Sequence, residues 1–172
     1  MKVGYLITGR LKSTRLPKKL LIEVRGKPVI GHMLDRLKLA KRVDQIVICT
    51  SDLEQDRPLG EIAKENGVEC YFGSPDDVLV RLLGAADKYG FDYILNITAD
   101  CPLVDPVYAD AIVGHFVKTD ADLIRQFELP HGAFSYGIKV EALRKVVEIK
   151  KSQDTEVWGK YFTDTGLFKV VD

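Results

Sequence analysis

The chain has 172 residues, of which 46% are hydrophobic and 29% charged, and its 25 basic side chains balance its 25 acidic ones. This composition is typical of one ordinary globular domain, long enough to bury a core without disulfides or a structural metal. Net neutrality argues against a general nucleic-acid-binding protein, because such proteins present a basic surface to phosphates; a local basic patch stays open.

The cysteines and the apolar runs indicate the compartment. Cys49, Cys70 and Cys101 are an odd number and form no C-x-x-C pair, so we expect neither a disulfide framework nor a zinc cluster and interpret all three as buried thiols. The apolar run at 3–7 is too short for a signal peptide, and no stretch approaches the ~20 apolar residues of a membrane span. We therefore expect a cytoplasmic protein with neither membrane nor nucleic acid as a partner.

Short apolar runs alternate with amphipathic stretches as far as about residue 116, which is typical of βαβ units and a mostly parallel sheet. Apolar residues at helical spacing predict a helix over 29–37 and a short helix over 59–66 that ends at Gly67. We expect these helices to cover the sheet. The predicted strands are residues 2–8, 45–50, 68–72 and 93–98.

The clearest helix start is the run 74–77, with the Ser74 hydroxyl as N-cap, Pro75 in the first turn and two carboxylates at the positive end of the dipole. Its apolar face predicts a helix to about Tyr89 that stops at Gly90. Further along, we predict helices at 106–116 and 141–151 and strands at 122–124 and 133–140. Without repeats or linkers, the chain is predicted to form one domain over 1–172.

The loop at 9–20 follows the first strand and holds five cations and no acidic residue. Open α/β sheets bind ligands at the carboxyl ends of their strands, and this loop leaves such an end. Arginine grips phosphate oxygens bidentately and lysine acts as a point charge, so the loop suits a polyphosphate; a solvated basic loop remains the alternative. Neither G-x-x-x-x-G-K-[ST] nor G-x-G-x-x-G follows the strand, so those two nucleotide-binding classes are unsupported.

A carboxylate, Asp100, follows the strand at 93–98 at the same edge of the sheet. A single carboxylate combined with substrate phosphates is a common Mg²⁺ environment; the alternative is a turn aspartate that caps its own backbone before Pro102. Ser74 and Asp77 are explained by helix capping, or else they contact a base or a ribose. The three histidines suggest no Ser-His-Asp arrangement.

Four blocks occur in an order that resembles the sugar-acid cytidylyltransferases, in particular the spore-coat polysaccharide biosynthesis type, relatives of the CMP-KDO and CMP-sialic acid synthetases. They are ITGRLKSTRLPKKL at 7–20, GKPVI at 26–30, GSPDDVL at 73–79 and ADCPLVD at 99–105. The resemblance implies a three-layer α/β fold like that of the nucleotide-diphospho-sugar transferases, with a mostly parallel central sheet, and a homodimer. It also implies that CTP and an acidic sugar for surface polysaccharide react, with Mg²⁺, to a CMP-sugar and pyrophosphate.

The resemblance also implies roles for single residues, with Arg10, Lys19 and Asp100 as the catalytic set and Asp100 as the metal ligand. The implied nucleotide-binding residues are Arg10, Ser13, Arg15 and Lys19 at the triphosphate, Thr8 and Gly9 near the base, and Ser74, Asp77 and Thr98 at the nucleoside.

The chain also departs from this family. Members often have Gly where Lys18 stands and Ala where Gly9 stands, and many carry acidic residues at 134–139, so the sequence does not identify the acceptor sugar. Members usually continue into a strand with a second metal-binding carboxylate, so we expect the single domain to lack the family's C-terminal segment and give Asp172 no metal role.

Two other functions stay open. One is a nucleotide-binding module without catalysis. The other is a nucleotidyltransferase or glycosyltransferase that uses another nucleotide. The D-x-D spacing at 120–122 is the feature that suggests a glycosyltransferase. The position of this motif after a helix favours a solvated turn.

Overall fold

The computed structural model describes residues 1–13 and 16–172, and nine strands and six α-helices lie within these ranges. The strands are β1 (Val3–Thr8), β2 (Glu23–Val24), β3 (Lys27–Pro28), β4 (Gln45–Ser51), β5 (Glu69–Gly73), β6 (Tyr93–Thr98), β7 (Leu123–Ile124), β8 (Tyr136–Lys139) and β9 (Val170–Val171). The helices are α1 (Val29–Leu37), α2 (Pro58–Glu65), α3 (Val78–Tyr89), α4 (Pro106–Thr119), α5 (Val140–Ile149) and α6 (Lys160–Thr163).

Seven strands form the central sheet in the order β5-β4-β1-β6-β8-β7-β9, and β2 pairs with β3 in a separate ribbon. β5, β4, β1 and β6 are parallel. β8 is antiparallel to both of its neighbours, and β9 is parallel to β7. The mostly parallel sheet is therefore confirmed, and its four predicted strands begin and end within one residue of the observed ones.

Apolar side chains on both faces of the sheet explain the three layers. In β1, Tyr5 and Ile7 enter one core cluster with residues of α1, α2 and α4, whereas Leu6 enters the other cluster with residues of α3, α5 and α6. Successive side chains of a strand point to opposite faces, so a strand that is apolar throughout needs a helical layer on each side. No helix in the described residues has the length and apolar character to cross a bilayer.

The structure corrects several sequence predictions. The N-cap of α3 is Asp77, whose Oδ1 accepts from the Val80 amide at 3.1 Å, while Ser74 Oγ accepts from the Asp77 amide and closes the turn before the helix. The predicted strand at 133–140 is shorter, because Ala133 closes a turn with the Pro130 carbonyl and α5 already begins at Val140. Of the cysteines, only Cys49 is buried; the other two are half-buried thiols.

The chain order reverses at β1, which lies between β4 and β6. Thr8 and Thr98 are paired residues at the carboxyl ends of β1 and β6. Such a switch point leaves a crevice above the strand ends, because the connections leave in opposite directions.

The D-x-D motif lies at the other end of the sheet. The Lys139 amide donates to the Asp122 carbonyl, and Lys139 is paired with Tyr93 at the start of β6. Asp120 is in an ion pair with Lys139, and the Asp122 carboxylate accepts from the Lys169 amide. This position argues against a ligand role for the motif at the crevice.

Close packing at Gly137 gives a stability prediction. An added Cβ would overlap the Tyr93 hydroxyl and lie 2.6 Å from Ile112 Cγ2. We expect Gly137→Ala to lower the free energy of unfolding by about 1–3 kcal/mol in chemical denaturation, because the core there is full. Gly159→Ala is the matched control, since nothing lies within 4 Å of its added Cβ; equal stability of the two variants would contradict the prediction.

Candidate functional site

A cleft of about 570 Å³ opens at the carboxyl ends of β1 and β6. It is lined by the loop after β1, the start of α3, the turn after β6 and a C-terminal segment that carries Glu156 and Trp158. Arg15 lies outside the described residues, and neither Ser74 nor Asp77 is among those that line the cleft. The predicted residues that the structure brings together here are Thr8, Gly9, Arg10, Ser13, Lys19, Thr98 and Asp100.

The floor of the cleft depends on a close approach at Gly9. The Gly9 amide donates to the Cys49 carbonyl, and the Ala99 amide donates to the Thr8 carbonyl at 2.8 Å. A Cβ on Gly9 would lie 2.7 Å from the Ala99 Cβ, a contact that side chains essentially never make. Glycine therefore lets the loop after β1 pass directly over the turn after β6, which explains why this chain has no alanine there.

Arg10 joins three parts of the cleft wall. Its Nη1 donates to the Pro75 carbonyl at 2.6 Å, its Nη2 is hydrogen-bonded to Glu156, and Asp76 Oδ1 lies 3.6 Å from Nη1. The carboxylates of Glu156 and Asp76 are 63% and 77% exposed, and exposed pairs of this kind contribute at most about 1 kcal/mol. A phosphate oxygen that enters the cleft can therefore replace them at the guanidinium at little cost.

Lys19 and Asp100 form an ion pair across the cleft. Lys19 begins a short 3₁₀ turn, Lys19–Leu21, directly after Lys18, which has a left-handed backbone with φ 51°. Few residues other than glycine adopt this conformation readily. The left-handed backbone at Lys18 therefore explains why the sequences that this chain resembles often have glycine at this position.

The Asp100 carboxyl is held in its ionised form. Burial raises its pKa, but hydrogen bonds from Lys19, from Thr98 and from its own backbone amide outweigh burial, so the pKa lies below its usual value. The backbone bond is the feature expected of a turn aspartate, and the exposed position in the cleft is the one expected of a metal ligand. Both interpretations of Asp100 are therefore compatible with one geometry.

Two carboxylates, Asp100 and Glu156, line this cleft, and no group of three His, Cys, Asp or Glu side chains within the described residues is arranged to hold a metal. Mg²⁺ is commonly bound by one or two carboxylates, with phosphate oxygens and water completing its shell. Asp100 fits that chemistry only if a phosphate ligand shares the ion.

Sequence reasoning missed Arg81, which is 2% exposed and lines the cleft. Its Nη1 donates to the Ser74 and Pro75 carbonyls, while its Nε has no partner among the described residues. Burial lowers the pKa of this guanidinium. The available signal was a charge at helical spacing between Val78 and Ala85, within the apolar stripe of α3.

Asp77 holds the C-terminal segment against α3. Its Oδ2 is in a buried ion pair with Lys150, and its Oδ1 accepts from the Thr155 hydroxyl at 2.9 Å. The Thr155 oxygen in turn accepts from the Leu79 amide at 3.1 Å. Both oxygens of Asp77 are thus used inside the fold, and the network places Glu156 and Trp158, which sequence reasoning also missed, at the cleft.

Comparison with known proteins identifies the family. The family model for Cytidylyltransferase matches residues 5–164. The chain belongs to the cytidylyltransferase family. This family contains relatives such as the 8-amino-3,8-dideoxy-manno-octulosonate cytidylyltransferase of Shewanella frigidimarina, which is 35% identical over 126 residues, or 69% of this chain and 49% of that protein. This cytidylyltransferase chain therefore spans about half the length of that relative.

Solved structures agree with this assignment. A cytidylyltransferase from Leptospira borgpetersenii is 32% identical and has a TM-score of 0.91, with 99% of this chain and 75% of that chain covered. The CMP:2-keto-3-deoxy-manno-octonic acid synthetase complexed with CTP has a TM-score of 0.79 at 16% identity, covering 99% and 89%. At this low identity, the second similarity is evidence for the fold alone. It confirms the predicted three-layer α/β fold of the nucleotidyltransferase type.

The buried pair gives a prediction about the C-terminal segment. Lys150→Met leaves the Asp77 carboxylate buried without a cation, so we expect the free energy of unfolding to fall by about 3–5 kcal/mol. The exposed pair of Lys27 and Asp35 provides the control: Lys27→Met is expected to cost at most about 1 kcal/mol. Adding Asp77→Asn to Lys150→Met should restore part of the loss in denaturant titration; a double variant no more stable than the single one contradicts this account.

The pair in the cleft gives a prediction about protonation. Removing the Lys19 ammonium should raise the pKa of Asp100, because the hydrogen bond that lowers it is lost. Carboxyl NMR titration of Lys19→Met measures this shift, and Lys27→Met should leave the pKa unchanged. The native pKa is depressed, so the stability it contributes is present above the unfolded value of about 3.9 and is lost as the pH falls through the folded value. An Asp100 pKa unchanged in Lys19→Met would contradict the pairing.

Proposed function

We propose that this chain is a CTP-dependent, Mg²⁺-requiring cytidylyltransferase that converts an acidic sugar used in surface polysaccharide to a CMP-sugar with release of pyrophosphate. The observation that carries the proposal is the meeting of Arg10, Lys19 and Asp100 in one cleft at the switch point of the sheet. Two cations beside an ionised carboxylate suit a metal-bound triphosphate, and membership of the cytidylyltransferase family favours CTP.

The reaction needs little covalent chemistry from the protein. A sugar hydroxyl oxygen attacks the α-phosphorus in line; the new O–P bond forms as the bond to the pyrophosphate oxygen breaks, and the hydroxyl proton passes to solvent. Positioning and charge stabilisation then supply the catalysis. Arg10 exchanges Glu156 for phosphate oxygens, Lys19 neutralises charge on the leaving group, and Ser13 offers a hydroxyl from the same loop.

The proposed ion would be held by Asp100, where it supplies positive charge to the phosphate oxygens. When Lys19 turns towards the triphosphate, its ion pair with Asp100 opens and both carboxylate oxygens become available. The nucleoside would lie over the ends of β1 and β6, with Thr8 and Gly9 near the base and Thr98 beside the ribose. Ser74 and Asp77 would not contact the nucleotide themselves. They would hold the turn whose Pro75 carbonyl accepts from Arg10.

An acidic sugar is the proposed acceptor class. The support is the relative from Shewanella frigidimarina, which is named as a cytidylyltransferase for an octulosonate. In this chain, Trp158 presents an aromatic wall beside the cleft and packs edge-on against Tyr136 and Phe162. Such a wall suits the apolar face of a sugar ring, which leaves the sugar hydroxyls directed towards the phosphates.

The decisive experiment combines binding with turnover. Calorimetric titration with CTP, ATP, GTP and UTP, with and without Mg²⁺, should give selective CTP binding that Mg²⁺ strengthens. Pyrophosphate release should then require CTP, Mg²⁺ and an octulosonate acceptor together. CTP binding without turnover on any acid or neutral sugar would favour a non-catalytic nucleotide-binding module, and no binding of any nucleotide would refute the proposal.

Variants at the ion pair separate the two roles. Asp100→Ala should lower kcat by roughly 100-fold or more, because charge stabilisation at the phosphates is lost. Lys19→Ala should raise the Kd for CTP about tenfold, the usual effect of losing a hydrogen bond to a charged group. Lys27→Ala and Asp35→Ala, from an exposed pair outside the cleft, are matched controls. Wild-type kinetics in both cleft variants would contradict the proposed roles of Asp100 and Lys19.

A further inference from the structure

Asp56 is a buried carboxylate beside the loop after β1. It ends the short 3₁₀ turn Glu54–Asp56 and is 0% exposed. Its Oδ1 accepts from the Leu11 amide at 2.6 Å, and its Oδ2 is hydrogen-bonded to the Ser51 hydroxyl. None of the ion pairs found in the described residues includes Asp56. The buried Arg81 guanidinium interacts with it only beyond ion-pair distance. Burying a carboxylate without a directly paired cation is unfavourable unless its hydrogen bonds compensate, so this group needs an explanation beyond core packing.

The carboxylate reaches the middle of the cation loop. β4 lies next to β1 in the sheet, so the turn that follows β4 meets the loop that follows β1. Leu11 stands between Arg10 and Lys12, and its side chain is 6% exposed within the core that also holds Leu20. The loop is therefore fixed at this residue twice, by its side chain in the core and by its amide on Asp56.

The backbone amides next to Leu11 in the loop have no comparable bond among the described residues. Within the described part of the chain, no other backbone amide from 10 to 13 donates a hydrogen bond. Arg10, Lys12 and Ser13, all within two residues of the anchored amide, line the cleft. The Arg10 side chain also contacts Pro75 and Glu156, and Ser13 Oγ also accepts from the Leu16 amide. The backbone that carries both side chains is held by the bond between Leu11 and Asp56.

We propose that Asp56 is a positioning residue that holds Arg10 and Ser13 ready for the triphosphate, an inference that rests on the proposed function. A loop held in its binding conformation avoids the ordering cost that a free loop meets when a ligand arrives. The carboxylate suits this task because an acceptor that carries a full charge forms a stronger bond to a backbone amide than a neutral one.

Three variants separate positioning from simple support of the fold. Asp56→Ala removes the acceptor for the Leu11 amide. Asp56→Asn keeps an amide oxygen for that bond and turns its NH₂ towards Ser51, whose hydroxyl can accept. Ser51→Ala removes the second bond of Asp56, together with the acceptor of the Leu53 amide, and leaves the bond to Leu11 in place. It is therefore the control for a loss of buried polar contacts.

The first measurement is amide hydrogen exchange of the nucleotide-free protein. In Asp56→Ala, exchange at Leu11 should rise about tenfold or more, as expected for the loss of a hydrogen bond to a charged group, while exchange in the centre of β1 stays at the wild-type rate. Asp56→Asn and Ser51→Ala should stay within about threefold of wild type at Leu11. Wild-type exchange at Leu11 in folded Asp56→Ala would overturn the proposal.

The second measurement is the Kd for CTP with Mg²⁺. We expect about a tenfold increase for Asp56→Ala and at most about a threefold increase for the other two variants. Equal weakening by all three variants would overturn the proposal, because it would indicate general support of the fold. If Asp56→Ala does not fold, an amide-to-ester replacement at Leu11 removes the same bond and keeps every side chain; an unchanged Kd there also overturns it.

The two proposals fail differently. A wild-type chain that binds no nucleotide refutes the proposed function, and the positioning role falls with it. A wild-type chain that binds CTP, with a Kd that Asp56→Ala does not alter, refutes the positioning role alone.

Discussion

The site depends on the pairing of β1 with β6. Both strands are parallel and end together, with Thr8 opposite Thr98, and the Ala99 amide continues the ladder by donating to the Thr8 carbonyl. Because the chain order reverses at β1, the connections that follow these two strands diverge and leave a crevice above their ends. A cation loop and a carboxylate that are 81 residues apart in sequence, Lys19 and Asp100, consequently meet.

Two cations of the cleft are paired with carboxylates of the chain itself. Arg10 is paired with Glu156 and Lys19 with Asp100, so the cations of the loop do not repel one another strongly in the absence of a ligand. The partners are partly exposed, and exposed ion pairs exchange readily. A polyanion can therefore take both cations, and the release of Asp100 leaves an ionised carboxylate facing it. In the proposed function, this arrangement links anion binding to the freeing of Asp100 for a metal ion.

Buried carboxylates support the walls of the cleft without facing it. Asp77 joins the start of α3 to the segment that carries Glu156 and Trp158, and Asp56 joins the turn after β4 to Leu11. Each accepts from a group on a distant part of the chain, so each fixes a loop whose residues line the cleft. The polar interior of this protein thus serves the geometry of its surface, which apolar packing alone directs only weakly.

The sequence by itself determined the parallel strands, the helices that cover them, the cation loop and Asp100, because hydrophobic periodicity and clustered charge are local patterns. Of the ten predicted site residues, seven line the cleft, and Arg15 lies outside the described residues. Tertiary structure alone decided that Asp77 is a cap paired with Lys150, that Arg81 is buried at the cleft and that Glu156 reaches Arg10. These contacts join positions up to 146 residues apart, and no local pattern records which distant partner a carboxylate will meet.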